Sequence, residues 1–202
     1  MRSSIIRPIQ AQAGFTLVEL LIVVIILAIL AAIVVPQFST ATRDAQEAAL
    51  DSNLSAMRSA IELYRVQHNG AYPGANVSSG GPTCTGGTLG TAGAGSAAAF
   101  ADQLLTYSTA SGATCTVGDT TSPANYRFGP YFRKGIPPDV SPTPSATVAV
   151  QTGGAPLVSG TGLTATCSSC TTAGGWNYNF TTGQIVMNNT NTDSKNFPYF
   201  TH

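Results

Sequence analysis

Apolar residues fall along this chain in three regimes. Phe15 to Val35, FTLVELLIVVIILAILAAIVV, is apolar all round a helix, with Glu19 its only charge. Its roughly 21 residues match the length needed to cross a bilayer core. From Phe38 to His68 the pattern becomes a stripe. Leu50, Leu54, Met57, Ile61 and Tyr64 recur at spacings of four, three, four and three, which marks an amphipathic helix. Arg43, Asp44, Glu47, Asp51, Arg58, Glu62 and Arg65 fall mostly off that stripe. Asn69-Gly70, with Pro73 close behind, supplies the stop. One helix from Phe15 to His68 would be about 80 Å long at 1.5 Å per residue. Pro36 would kink it, because proline removes a helical hydrogen bond. The alternative is that Pro36 ends the apolar span.

After Pro73 the pattern breaks up. Residues 74–99, 108–125 and 141–175 are rich in Gly, Ser, Thr and Ala and read as loops. A short helix is expected near Ala97–Tyr107. Thr147–Val150, Trp176–Phe180 and Gln184–Asn188 are short, β-branched or aromatic, and read as strands. Thr181-Thr182-Gly183 between the last two reads as a hairpin turn. The expected fold class is α+β: a long N-terminal helix packed on a small antiparallel sheet with long Gly/Ser/Thr-rich loops. The expected parts are a leader at 1–14, a membrane helix at 15–36, an amphipathic helix at 37–70 and a globular head at 71–202.

Charge narrows the classes of function. The 202 residues carry nine basic and nine acidic side chains, only 9% of the chain charged. Nothing is basic enough to predict nucleic-acid binding. Arg2 and Arg7 precede the apolar run with no acid among residues 1–14. That bias keeps the N-terminus cytoplasmic and sends the rest outward. An ordinary signal peptide is cut after its apolar region. Here the small residues Ala11-Gln12-Ala13 come before it, so a cut there would leave the apolar run on the mature protein.

Gly14-Phe15-Thr16-Leu17-Val18-Glu19, followed by the long apolar run, resembles the signature of the type IV pilin and type II secretion pseudopilin family. The resemblance implies cleavage after Gly14 by a prepilin peptidase and N-methylation of the new terminus, Phe15. Glu19 would be the fifth mature residue, where that family places its intramembrane carboxylate. A carboxylate within a bilayer costs roughly 2.5–3.5 kcal/mol, so it needs a partner. The family reading pairs Glu19 of one subunit with the Phe15 amine of a neighbour. The simpler reading pairs it with its own N-terminus, at helical i,i+4 spacing. The resemblance also implies a proline-bent helix at Pro36. Ala60–Pro73, Gly129-Pro130-Tyr131, Ile136-Pro137, Trp176-Asn177-Tyr178 and Gly183-Gln184-Ile185 are similar to patterns in the major pseudopilin of type II secretion.

Cys84, Cys115, Cys167 and Cys170 all lie beyond the apolar run, in an oxidising compartment on this topology. Four cysteines allow three pairings. Cys167–Cys170 as a local bridge leaves Cys84–Cys115 to pin two Gly-rich loops. A redox pair at Cys167/Cys170 lacks a surrounding βαβ pattern. A zinc site built from all four thiolates lacks a second Cys-x-x-Cys.

No cofactor is expected beyond one open case. The resemblance brings a calcium site into view, and Asp139, Asn188, Asn189, Asn191 and Asp193 carry suitable oxygens. No ligand set is assigned and no metal residue is named. His68 and His202 have no Ser or Cys nucleophile partner in the pattern, so no enzyme is expected. The Asn-x-Ser/Thr triplets at Asn53, Asn76, Asn179 and Asn188 say little alone.

The function implied is a structural subunit of a homo-oligomeric filament, similar to the major pseudopilin of type II secretion. A type IV pilus subunit for adhesion, motility or DNA uptake is the alternative. Implied partners are the prepilin peptidase, an assembly ATPase, an inner-membrane platform protein and minor pilins or pseudopilins. The implied location is a single-pass inner-membrane state, then a periplasmic or extracellular filament. A membrane-tethered thiol oxidoreductase and a plain anchored binding domain are the readings from other classes.

Overall fold

The computed structural model describes residues 14–118, 125–159 and 165–202. The leader residues Arg2, Arg7 and Ala11-Gln12-Ala13 lie outside the described residues, as do parts of the loops expected at 108–125 and 141–175. The chain divides into two compact units, Met1–Arg43 and Asp44–His202.

Helix α1 runs from Leu17 to Gln67 and carries Pro36 inside it. Thr16 starts it: its hydroxyl accepts the Glu19 amide at 3.2 Å and its carbonyl accepts that of Leu20 at 3.2 Å. The amides left over by a helix's first turn need such an acceptor. Residues 14–46 are exposed throughout and so carry no packing of their own.

In the larger unit the stripe on α1 becomes the core. Leu50, Leu54, Met57, Ile61 and Tyr64 are all buried. They pack with Phe100 and Leu104 of α2 (Ala97–Leu105) and with Trp176, Tyr178, Ile185 and Met187 of the sheet. Ser96 caps α2 by accepting the Ala99 amide at 3.1 Å. The helix stop uses Asn69 at φ 55° and Gly70 at φ 83°, the left-handed backbone that these residue types tolerate best.

Seven short strands follow among the described residues. β1 (Tyr107–Ser108) pairs antiparallel with β2 (Thr114–Cys115). The main sheet takes β3 (Val148–Gln151), β6 (Trp176–Asn179) and β7 (Ile185–Met187) in the order β3-β6-β7. β4 (Val158–Ser159) and β5 (Thr166–Cys167) form a second antiparallel pair. β6 and β7 are an antiparallel hairpin, with Trp176 opposite Met187 and Tyr178 opposite Ile185. β3 joins β6 in parallel, Val148 opposite Trp176, so the main sheet is mixed rather than wholly antiparallel. The hairpin turn rests on Asn179, whose side-chain oxygen accepts the amides of Thr181 and Thr182 at 2.8 and 3.1 Å.

Every residue of β6 and β7 is buried, because both sheet faces are covered. Side chains alternate between faces along a strand. Trp176, Tyr178, Ile185 and Met187 meet the helices. Val186 turns the other way, onto Leu157, Ala165 and Phe200, with Val158, Cys167 and Cys170 packed against them. Cys167 is bonded to Cys170 and Cys84 to Cys115.

Candidate functional site

The residues that carry the chemistry expected from the sequence lie just before α1 and in its first turn. Phe15 is 82% exposed and Leu17 82%. A side chain added at Gly14 would meet nothing within 4 Å. Packing among the described residues therefore gives no reason for a glycine here. Glu19 sits in the first turn of α1, where negative charge is favoured by the helix dipole. Thr16 and Glu19 also form the spacing of a capping box, of which the Glu19 amide to Thr16 hydroxyl bond is present. The apolar pattern did not point to that role; the Thr-x-x-Glu spacing was the available signal. Glu19 thus has a local use as well as any use between chains.

The surface beyond is the second part of the site. α1 is long and apolar enough to cross a membrane, and its most apolar stretch is wholly unburied. From Leu17 to Val35 the large side chains are 41 to 82% exposed. That band is far larger than the apolar patches a soluble monomer leaves bare. It calls for lipid, other helices, or each in turn.

In the head, four of the residues whose oxygens could suit a cation form hydrogen bonds within the chain. Asp139 is buried. One carboxylate oxygen accepts the Ser141 hydroxyl and the Ser145 amide at 2.8 and 2.7 Å, and the other accepts the Gly175 amide at 2.8 Å. It ties the 139–147 loop to the start of β6. Asn188 accepts the Thr171 amide at 2.8 Å and donates to the Gly174 carbonyl at 3.2 Å. Asn189 accepts the Asn191 amide at 2.8 Å. Asp193 accepts the amides of Lys195 and Phe197 at 2.8 and 2.7 Å. Among the described residues no group of three or more His, Cys, Asp and Glu is placed to hold a metal ion.

The final segment is clasped to α1. Glu47 accepts the Ser194 amide and hydroxyl, each at 2.7 Å. Asp51 meets His202 Nδ1 at 2.8 Å, and Arg58 donates to the His202 backbone oxygen at 2.6 Å. Burial lowers the affinity of the Arg58 guanidinium for its proton, and the charge of Asp51 opposes this. His68, the other histidine, is buried and stacked on Tyr64. Its ring nitrogens meet the Tyr64 carbonyl and the Ser108 hydroxyl, so the fold gives it a serine partner that the sequence pattern did not show, with both side chains buried.

Comparison with known proteins agrees with the N-terminal geometry. A model of the prokaryotic N-terminal methylation motif matches residues 9–35. The type II secretion system core protein G of Pseudomonas aeruginosa is 42% identical over 64 residues, 32% of this chain and 44% of that protein. The type IV narrow pilus major component PilA5 of Thermus thermophilus is 47% identical over 57 residues, 28% of this chain and 49% of that protein. A fimbrial protein of Neisseria meningitidis is 41% identical over 69 residues, 34% of this chain and 40% of that protein. The chain matches less than half the length of these relatives. No solved structure matches it.

Proposed function

We propose that this chain is a processed structural subunit of a pilus-like filament, similar to the major pseudopilin of type II secretion. One observation carries the reading. The methylation motif, residues 9–35, takes in an unburied apolar stretch of α1 whose only charge is Glu19. The prepilin peptidase cuts after Gly14 and methylates Phe15. Leu17–Val35 then holds the subunit in the inner membrane with the head outside.

The mechanism is mechanical rather than catalytic. A helix apolar all round suits lipid and suits the centre of an assembly. Moving from one to the other keeps the same surface covered. Glu19 is the exception, since an unpaired carboxylate there is costly. The methylated amine of Phe15 on a neighbour neutralises it and fixes the axial register. Pro36 leaves one α1 carbonyl without its helical partner and gives the helix a place to bend. An assembly ATPase, an inner-membrane platform protein and minor pilins or pseudopilins are the proposed partners.

The similarity to PilA5 and to fimbrial proteins supports a second reading, a type IV pilus subunit. The experiment that tests the shared claim is electron microscopy of filaments from cells expressing Glu19→Ala. The account expects subunits retained in the membrane and few filaments. Filaments at the native level would overturn it. Long surface pili built from this chain would favour the type IV pilus over the pseudopilus.

A further inference from the structure

Between Asp139 and Asp193 the chain carries no Asp, Glu, Lys, Arg or His, yet this uncharged stretch holds a Cys-Ser-Ser-Cys sequence. Cys167 and Cys170 are bonded across a sequence separation of 3, whereas Cys84–Cys115 spans 31. A bridge over so short a loop restrains the unfolded chain less, so the fold depends on it less. Both of its cysteines are half-buried, and Ser168 and Thr171 beside them are exposed. In the longer bridge Cys115 is only 1% exposed. Exchange requires that a thiolate reach a bridging sulfur, and the short bridge is the more open to it.

The fold also holds both cysteines in place without the bond between them. Cys167 lies in β5 opposite Val158 of β4, and the Ser168 amide donates to the Leu157 carbonyl at 3.0 Å. On the other side the Thr171 amide donates to the Asn188 side-chain oxygen at 2.8 Å. Opened thiols would stay close enough to pair again. Behind Cys170 lies Asn177, which is fully buried. Its amide nitrogen donates to the Ser169 hydroxyl at 2.5 Å and lies 4.0 Å from the Cys170 sulfur. Its side-chain oxygen is buried and has no hydrogen-bond partner among the described residues. The Met187 carbonyl is 3.8 Å from the same sulfur. A disulfide sulfur has no hydrogen to donate and a thiol has one, so these acceptors suit the reduced form of Cys170.

We propose that Cys167–Cys170 is a thiol–disulfide exchange site for an outside protein dithiol, with Cys167 attacked and Cys170 leaving toward Asn177 and Met187. A thiolate of the dithiol attacks the Cys167 sulfur. The Cys167–Cys170 bond breaks, and Cys170 departs as a thiolate and takes up a proton. The second thiolate of the dithiol then attacks the dithiol's own sulfur in the mixed disulfide and releases Cys167, which takes up the other proton. The dithiol gives up two electrons and two protons and becomes a disulfide, and the bridge gains both. The reverse steps close the bridge with an outside disulfide as oxidant. No acid of the 140–192 stretch repels the incoming thiolate. The bridge ties the cover over the outer face of the sheet, where Cys167 and Cys170 pack with Leu157, Val186 and Phe200. Opening it loosens that cover, while the cluster of α1, α2 and the inner sheet face contains neither cysteine. The exchange proceeds whether or not the chain assembles.

Titration of the folded full-length chain in detergent with dithiothreitol, followed by alkylation and peptide mapping, tests it. Cys167 and Cys170 should become alkylated at a dithiothreitol concentration at least about tenfold below the one that opens Cys84–Cys115. Circular dichroism should show the head still folded at that point, and oxidised dithiothreitol should re-form the same bridge. Opening of Cys84–Cys115 first, or of Cys167–Cys170 only as the head melts, overturns the exchange site. A bridge that opens but re-forms with scrambled pairing overturns it as well. Glutathione, a monothiol that stalls at the mixed disulfide, reads the direction of attack. Its adduct should sit on Cys167 with Cys170 alkylated. An adduct on Cys170, or spread evenly over both, overturns the leaving role of Cys170. Filament assembly enters none of these readouts, so a failure here leaves the filament reading standing, and a chain that forms no filament leaves this test intact.

Discussion

Tyr64 and His68, one helical turn apart at the end of α1, stack ring on ring with centroids 3.6 Å apart and planes 4° from parallel. Both are buried. His68 Nδ1 lies 2.8 Å from the Tyr64 carbonyl, and Nε2 lies 2.9 Å from the Ser108 hydroxyl. A carbonyl only accepts, so Nδ1 carries the hydrogen and Nε2 accepts from Ser108. That assigns the neutral ring. Burial lowers its affinity for a second proton, and backbone contacts at Tyr64 and Thr109 partly oppose this.

A pH dependence follows. The histidine of the unfolded chain takes up its proton near its ordinary value, about 6.5, while the folded one resists. The unfolded state therefore binds more protons below that point, and stability falls as pH falls. The contribution is complete above about pH 6.5 and declines toward the depressed folded value. Thermal melts of the head from about pH 7.5 to about pH 5 should show this decline. His68→Gln should flatten it, at some cost in stability at the upper end of that range. An unchanged slope in that variant would refute the assignment.

Much of this arrangement was legible beforehand. The stripe Leu50, Leu54, Met57, Ile61 and Tyr64 is the buried face of α1, because 3.6-residue periodicity is a direct record of burial. The hairpin of β6 and β7 was marked by aromatic and β-branched runs on either side of Thr181-Thr182-Gly183. The parallel entry of β3 was not, since a strand's composition says nothing of its direction. β1, β2, β4 and β5 are two residues each, too short to leave any alternation. Asp139 and Asp193 entered the sequence reading only as oxygens that could suit a cation. They are buried because backbone amides fold onto them, for Asp139 from as far along the chain as Gly175, which no local pattern records.

Asp139 supplies a second prediction. Its two oxygens receive three hydrogen bonds, two of them from the amides of Ser145 and Gly175. Asp139→Ala leaves those donors without an acceptor, at about 1–3 kcal/mol for each buried one. Chemical denaturation should show a loss of about 2–4 kcal/mol. A loss below about 0.5 kcal/mol would mean that the loop finds other acceptors.

The two disulfides should differ in weight. Cys84–Cys115 spans 31 residues and Cys167–Cys170 spans three. Closing the longer loop restricts the unfolded chain more, about 3–4 kcal/mol against about 2 kcal/mol on the loop-entropy account. Paired Cys→Ser variants, compared by denaturant midpoint, should rank in that order. The reverse order would show that packing over Val186, not chain entropy, sets the contribution of Cys167–Cys170.

Gly183 closes the β6–β7 turn at φ 72°, and a side chain there would run into the Tyr72 ring. Gly183→Ala combines strained backbone with a clash in the core. It should destabilise the head by about 2 kcal/mol or more. A near-neutral melting temperature would show that Tyr72 can move aside.

The central claim is that this chain is cut and methylated before it works. Intact mass together with N-terminal sequencing, on protein from its native membrane, tests it most directly. The account predicts a mature chain that begins at N-methylated Phe15. A chain still beginning at Met1, in cells with an active prepilin peptidase, would contradict it.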